Sequence, residues 1–160
     1  MEYSTTNFIK SMMIVGVSLA VIDSASAATI TVDTFADEMA SGGCSLREAI
    51  INANNNDTSG STDCVSGAAG VDEILLPAGT YTLSLAGRVE DAAATGDLDI
   101  TDVDTTGNSL VITGEVDLNG TPATIIDAGG IDRVFDIFNP GNKGDLTQGN
   151  PPPFDGVIVT

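Results

Sequence analysis

From Val71 to Thr160 the chain is broken into short apolar runs, and this punctuation limits the fold more than any other feature. The runs are ILL at 74–76, TYTLSL at 80–85, DLDIT at 97–101, SLVITG at 109–114, ATIIDA at 123–128, RVFDIF at 133–138 and GVIVT at 156–160. Gly, Asp, Asn or Pro turns separate them, and nothing in this half recurs with a helical period. Aliphatic residues at alternate positions, rich in β-branched types, specify strands. Short strands joined by polar turns fit a sandwich, a barrel or a solenoid. The turns hold few two-residue hairpin loops between matched strands, the strands are four to six residues long, and most offer inward aliphatics at alternate positions. These features favour a parallel β-helix, whose coils stack around one narrow core. The repeat is blurred, so on spacing alone the other two architectures stay open.

The first 27 residues belong to a different category. MEYSTTNFIKSMMIVGVSLAVIDSASA has a weakly basic start at Lys10, an apolar run over 11–22 and the small-x-small pattern Ala25-Ser26-Ala27. That is the layout of a secretory signal peptide cleaved after Ala27; the apolar run is short for a membrane span. No later segment is long and apolar enough to cross a bilayer. The expected location is extracellular or at the cell surface. Residues 28–160 carry 4 basic against 21 acidic residues, a net charge of −17, within −18 for the whole chain. Phosphates would be repelled, which disfavours nucleic acid and anionic lipid as partners and favours solubility and weak cation binding; no nucleic-acid partner is expected. Tryptophan is absent and aromatics are few, which argues mildly against a ring-stacking sugar cleft.

Between the leader and the strand-rich half lies a cap-like region, residues 28–70. ATITVDTF at 28–35 alternates and reads as a first strand, with Ile30 and Val32 on one side. Ser45 and Glu48 have the spacing of a capping box. Leu46, Ala49, Ile50 and Ala53 then fall on one face of a helix of about three turns, which ends in the Asn54–Asp57 stretch. Cys44 and Cys64 make an even pair in an exported chain, and with no histidine for a metal or thiol site the expectation is a disulfide. Closing that loop stabilises by about 3 kcal/mol in the chain-entropy model.

Cys44-Ser45-Leu46-Arg47-Glu48-Ala49-Ile50, followed by Asn52-Ala53-Asn54, resembles the CSLREA domain found near the N-terminus of exported bacterial proteins. Segments such as ILLPAGTYTLSL, GDLDIT and TIIDAGG are similar to the opening coils of that family. The resemblance implies an all-β, right-handed, single-stranded parallel β-helix of the pectate-lyase-like type, entered through an N-terminal cap with one short α-helix. It also implies large surface or secreted proteins, often adhesin-like, with carbohydrate or a host or cell-surface protein as the partner class. It assigns no activity to the motif.

A coiled sheet leaves apolar residues and unpaired strand edges at its ends. Ser45, Leu46, Arg47, Glu48, Ala49, Ile50 and Ala53 are therefore expected to be a structural plug packed near Ile74 and Leu83. Leu46 and Ile50 would contribute about 1.5–3 kcal/mol each on burial. Arg47 is expected in a salt bridge or on loop carbonyls. No catalytic residue, no metal and no cofactor is expected. The alternative enzyme, a polysaccharide lyase or glycoside hydrolase, would draw on Asp97, Asp99, Asp102 and Asp104 with Arg88 and Arg133; a weaker alternative binds Ca²⁺ through the same acids. In GDLDITDVD these acids read more simply as the outward, solvated face of a strand. Asn139–Phe154, rich in Pro and Gly, is expected to protrude as a loop. GVIVT reads as a coil cut part-way, so residues 71–160 are expected to be the first coils of a longer helix, with end-to-end self-association through the last one.

Overall fold

The computed structural model describes residues 26–39, 42–87, 90–101, 110–131, 133–137 and 154–160. Most of the expected signal peptide, together with Arg88, Asp102, Asp104 and positions 139–153 of the expected loop, lies outside them. The described chain is mostly β, with one helix. Its elements are β1 (Thr29–Thr31), α1 (Leu46–Asn55), β2 (Glu73–Leu76), β3 (Gly79–Thr82), β4 (Leu98–Ile100), β5 (Val111–Gly114), β6 (Thr124–Asp127), β7 (Phe135–Ile137), β8 (Phe154–Asp155) and β9 (Val157–Val159). Apart from β2, which starts one residue before its run, and β8, which lies outside the runs, the strands are shorter than the apolar runs that hold them, because pairing stops where the turns begin.

Among the described residues every strand pair is parallel. The strands form three sheets, ordered β1-β2-β5-β8, β3-β6-β9 and β4-β7. From β2 onward the chain visits the first, second and third sheet in turn, then returns to the first. The register stacks like on like. Ile30, Ile74, Ile112 and Phe154 align in the first sheet, Tyr81, Ile126 and Val159 in the second, and Ile100 and Ile137 in the third. Ile30, Ile74, Ile112, Ile126, Leu98 and Ile100 are fully buried in one core, and α1 shares that core through Leu46, Ala49, Ile50 and Ala53. Alternation along each strand thus feeds one interior from three sides.

Two expectations need correction. The helix is not buried on one face alone: every residue from Leu46 to Ala53 is buried, Arg47, Glu48 and Asn52 included. Three surroundings account for this. The strands lie beneath, residues 33–39 and 42–45 lie along one flank, and the 57–70 loop closes over the other. The helix also packs chiefly on β4 and β2, so Leu98 and Ile100 sit beneath it as well as Ile74. The second correction concerns Asp97 and Asp99, expected to face solvent. They are 7% and 3% exposed, because Arg133 lies on Asp97 and the loop at Ala93 lies on Asp99.

Candidate functional site

The first strand of each sheet has a side with no neighbouring strand; Asn54 lies on that side of the third sheet, and Phe35 and Asp37 lie on part of that side of the second. In the first sheet β1 is itself the outermost strand, paired with β2 from Thr29 to Thr31. Beyond β1 the chain turns back on Cys44, whose carbonyl accepts from the amides of Asp33 and Thr34. The Asp33 carboxylate accepts the Cys44 amide at 2.7 Å. Gly43 is needed at this close approach: its φ is +151°, and a side chain there would run into Asp33 and Thr34.

In the third sheet a single side chain takes the place of a strand. Leu98 donates its amide to Val134, so Leu98 and Ile100 turn their backbone groups towards β7, and Asp99 and Thr101 turn theirs the other way. Asn54 meets both: its Nδ2 donates to the Asp99 carbonyl at 2.7 Å, and its Oδ1 accepts from the Thr101 amide at 2.9 Å. This is the donor and acceptor pair that a peptide of an adjacent parallel strand would present. The last turn of α1 therefore ends the ladder.

At the second sheet the edge is covered in part. The Phe35 ring lies against Gly79 and packs on Tyr81 with centroids 4.9 Å apart, while Thr80 and Thr82 stay exposed. Just past β3, Asp37 Oδ2 accepts the amides of Ser84 and Leu85 at 2.6 and 2.8 Å. The same carboxylate holds Arg47, whose Nε donates to Oδ1 at 2.6 Å and whose Nη2 donates to Oδ2 at 3.2 Å. Arg47 spends its remaining donors on carbonyls of the loop that leads into β4: Ala93 at 2.7 Å, Gly96 at 2.9 Å and Asp97 at 3.4 Å. The two side chains are 0% and 4% exposed. A buried pair this well supplied with hydrogen bonds escapes the usual cost of burying charge. Burial opposes ionisation of Asp37, but Arg47 and the amides of Leu85 and Ser84 more than offset it and hold its pKa below the usual value.

The helix is fixed at both ends. Ser45 Oγ accepts the Glu48 amide, and the Glu48 carboxylate accepts the Ser45 amide at 3.0 Å, a complete capping box. Asn56, in the left-handed region at φ +56°, closes the C-terminus. Asn52 ties down the outer loop: its Oδ1 accepts from Gly60 and Ser61, and its Nδ2 donates to the carbonyls of Ser61 and Val65. The Cys44–Cys64 disulfide closes the same region with a Cα–Cα distance of 4.7 Å. Among the described residues, no buried side-chain nitrogen or oxygen lacks a partner.

A second cluster lies on the third sheet. Asp97, Asp99 and Asp136 bring carboxylate oxygens within 4.8 Å of one another. Asp99 and Asp136 are register partners in β4 and β7. Arg133 Nε donates to Asp97 at 2.5 Å and its Nη2 donates to Asp136 at 2.9 Å. Asp99 has the Ala93 amide at 2.9 Å. Desolvation pushes its pKa up to about 6; the Ala93 amide opposes this, and the charges of Asp97, Glu90 and Asp136 add to it. Three carboxylates in this arrangement can share a proton or offer oxygens to a cation.

No family model, curated protein or solved structure matches the chain.

The structure therefore unites Ser45, Leu46, Arg47, Glu48, Ala49, Ile50 and Ala53 in one buried helix, and Asp97, Asp99 and Arg133 in the carboxylate cluster. Sequence reasoning missed Asp37, Asn52, Asn54 and Asp136. Asn52 and Asn54 stand within the CSLREA-like stretch, but a helix end rich in asparagine reads as a simple stop. Asp136 is found only once β4 and β7 are placed in register. Among the described residues no helix is long and apolar enough to cross a membrane.

Proposed function

We propose that this chain is the capped front of an exported, right-handed parallel β-helix and that it serves as a structural, adhesin-like interaction protein without chemistry of its own. The observation that carries this reading is that Asn54 occupies the open edge of β4 and that Asp37, held by Arg47, takes up the amides just past β3. Such closure blocks addition of another strand at those edges. The cyclic visiting of three parallel sheets supports the coil, and parallel crossovers are overwhelmingly right-handed. The CSLREA-like motif and the leader support export. Leu118, fully exposed on a turn braced by Asp117 Oδ1 and the amides of Asn119 and Thr121, supports a contact surface for carbohydrate or a cell-surface protein.

The experiment is expression of the full chain in a bacterial host, followed by fractionation and assay of the exported protein on a polysaccharide panel. Recovery outside the cytoplasm, shortened at the N-terminus, with no lyase or hydrolase product, is the expected result. Full-length protein kept in the cytoplasm contradicts the export reading, and product formation favours the enzyme class. A calcium-dependent module is the second reading, favoured by the Asp97–Asp99–Asp136 cluster. A melting temperature that is the same with Ca²⁺ and with chelator removes it.

A further inference from the structure

The carboxylate of Asp72 is 0% exposed. Its Oδ1 accepts the backbone amide of Ala28 at 2.7 Å, and its Oδ2 accepts that of Ala68 at 3.0 Å. Neither donor carries charge, and among the described residues no salt bridge reaches Asp72. Buried carboxylates are normally matched by a cation, since two neutral donors replace only part of the lost hydration. Ala28 is also the first residue of the ladder, because its carbonyl accepts the Glu73 amide at 2.8 Å. Both backbone groups of Ala28 are thus set by adjacent residues, while Ser26 and Ala27, just before it, are exposed. The small-x-small pattern of the leader ends at Ala27, so the residue held by Asp72 is the one that cleavage would make first.

We propose that Asp72 is a receptor for the amino terminus that cleavage of the leader creates at Ala28. The inference rests on the export reading above and goes beyond it. A signal peptidase would break the Ala27–Ala28 C–N bond with water. The hydroxyl goes to the Ala27 carbonyl carbon and a proton to the Ala28 nitrogen, which takes one more from solvent to become an ammonium. A neutral amide 2.7 Å from a buried carboxylate is replaced by a cation at the same place. Charge-assisted hydrogen bonds are roughly twice as strong as neutral ones. Processing therefore locks β1, and with it the cap, onto the first sheet. The bond from the Gly70 amide to the Ser26 carbonyl is given up in exchange. The ammonium pKa rises above the ordinary α-amino value of about 7.7–8.0. A raised folded-state pKa means that this stability is fully present below the unfolded value and is lost as pH rises through the folded one.

The test begins with the full chain exported from a bacterial host and the first residue of the purified product identified by mass spectrometry. The product is then melted between pH 6 and 10 in three forms: wild type, wild type acetylated at its α-amino group, and Asp72→Asn. The α-amino pKa of the wild type is measured by NMR and compared with that of the peptide Ala-Thr-Ile-Thr-Val. The expected results are Ala28 as the first residue, an α-amino pKa above the peptide's, and a wild-type melting temperature that falls as pH rises past 8. Acetylation lowers the melting temperature at pH 7 in the wild type and leaves Asp72→Asn unchanged. If Asp72→Asn does not fold, the wild-type pKa and the effect of acetylation on the wild type decide. Ala28 first, with a peptide-like pKa and no effect of acetylation, overturns the receptor while leaving the processing intact. A first residue other than Ala28, or an uncleaved chain, overturns both.

Discussion

Arg47 and Asn54 have roles that their residue types suit and few others would. Arg47 fills a buried site with five donors aimed at Asp37 and three carbonyls, a fork that lysine cannot reproduce. Arg47→Met strands Asp37 beside the cap, and breaking a buried pair this way costs about 3–5 kcal/mol. Urea denaturation of the purified protein measures it; a loss below about 1 kcal/mol would mean that the pair is solvated in solution. Arg47→Lys is expected to recover only part of the loss. Asn54→Ala deprives the Asp99 carbonyl and the Thr101 amide of their side-chain partner. The same denaturation should register a loss of about 1–3 kcal/mol, the cost of unsatisfied backbone groups, and no loss would remove Asn54 from the edge. The depressed pKa of Asp37 acts in the same sense: its contribution is present above the unfolded carboxylate value of about 3.9 and is lost as pH falls through the lower folded value.

The helix, its covering loop and the third sheet each make a further demand. Gly60 and Gly67 lie on the backbone of α1, where a Cβ would collide with the carbonyl oxygens of Glu48 and Asn52. Gly67→Ala should therefore lift the loop and lower the melting temperature, although alanine in a loop more often stabilises by restricting the unfolded chain. An unchanged or higher melting temperature would show that the loop does not rest on the helix. In the third sheet the raised pKa of Asp99, about 6, means that the folded protein holds the proton more tightly than the unfolded one. This group's penalty is full above pH 6 and is relieved as pH falls towards 4. Asp99→Asn should melt higher than wild type at pH 8, with the difference shrinking near pH 4; a difference independent of pH would contradict desolvation of a charged Asp99 as the source of the penalty. The sequence made α1 legible because a capping box and an i, i+4 apolar spacing are local signals. It hid the burial of Arg47, Asn52 and Asp97, because their partners come from 9 to 50 residues away in the chain, and that of Asp99, whose Ala93 partner sits in a loop with no periodic signal.

At the scale of the whole molecule, short alternating runs made the strands legible, and the scarcity of hairpin turns favoured parallel pairing without deciding it. The order in which the chain visits three sheets was not, because that depends on register and on turns whose lengths vary. Ile158 and Val159 of β9 are exposed, and we propose that they contribute to end-to-end self-association. Ile158→Lys should then reduce association in sedimentation velocity at high protein concentration, while a wild type that stays monomeric across the range would dismiss the surface. The central claim is that Asp37 and Asn54 seal backbone groups at the open side of the second and third sheets, and amide hydrogen exchange on the purified protein tests it most directly. Ser84, Leu85 and Thr101 should exchange slowly, although none has a strand beside it on the capped side, and Asn54→Ala should release Thr101 while Ser84 and Leu85 stay protected. Exchange of all three at unstructured-peptide rates in the wild type would contradict the seal.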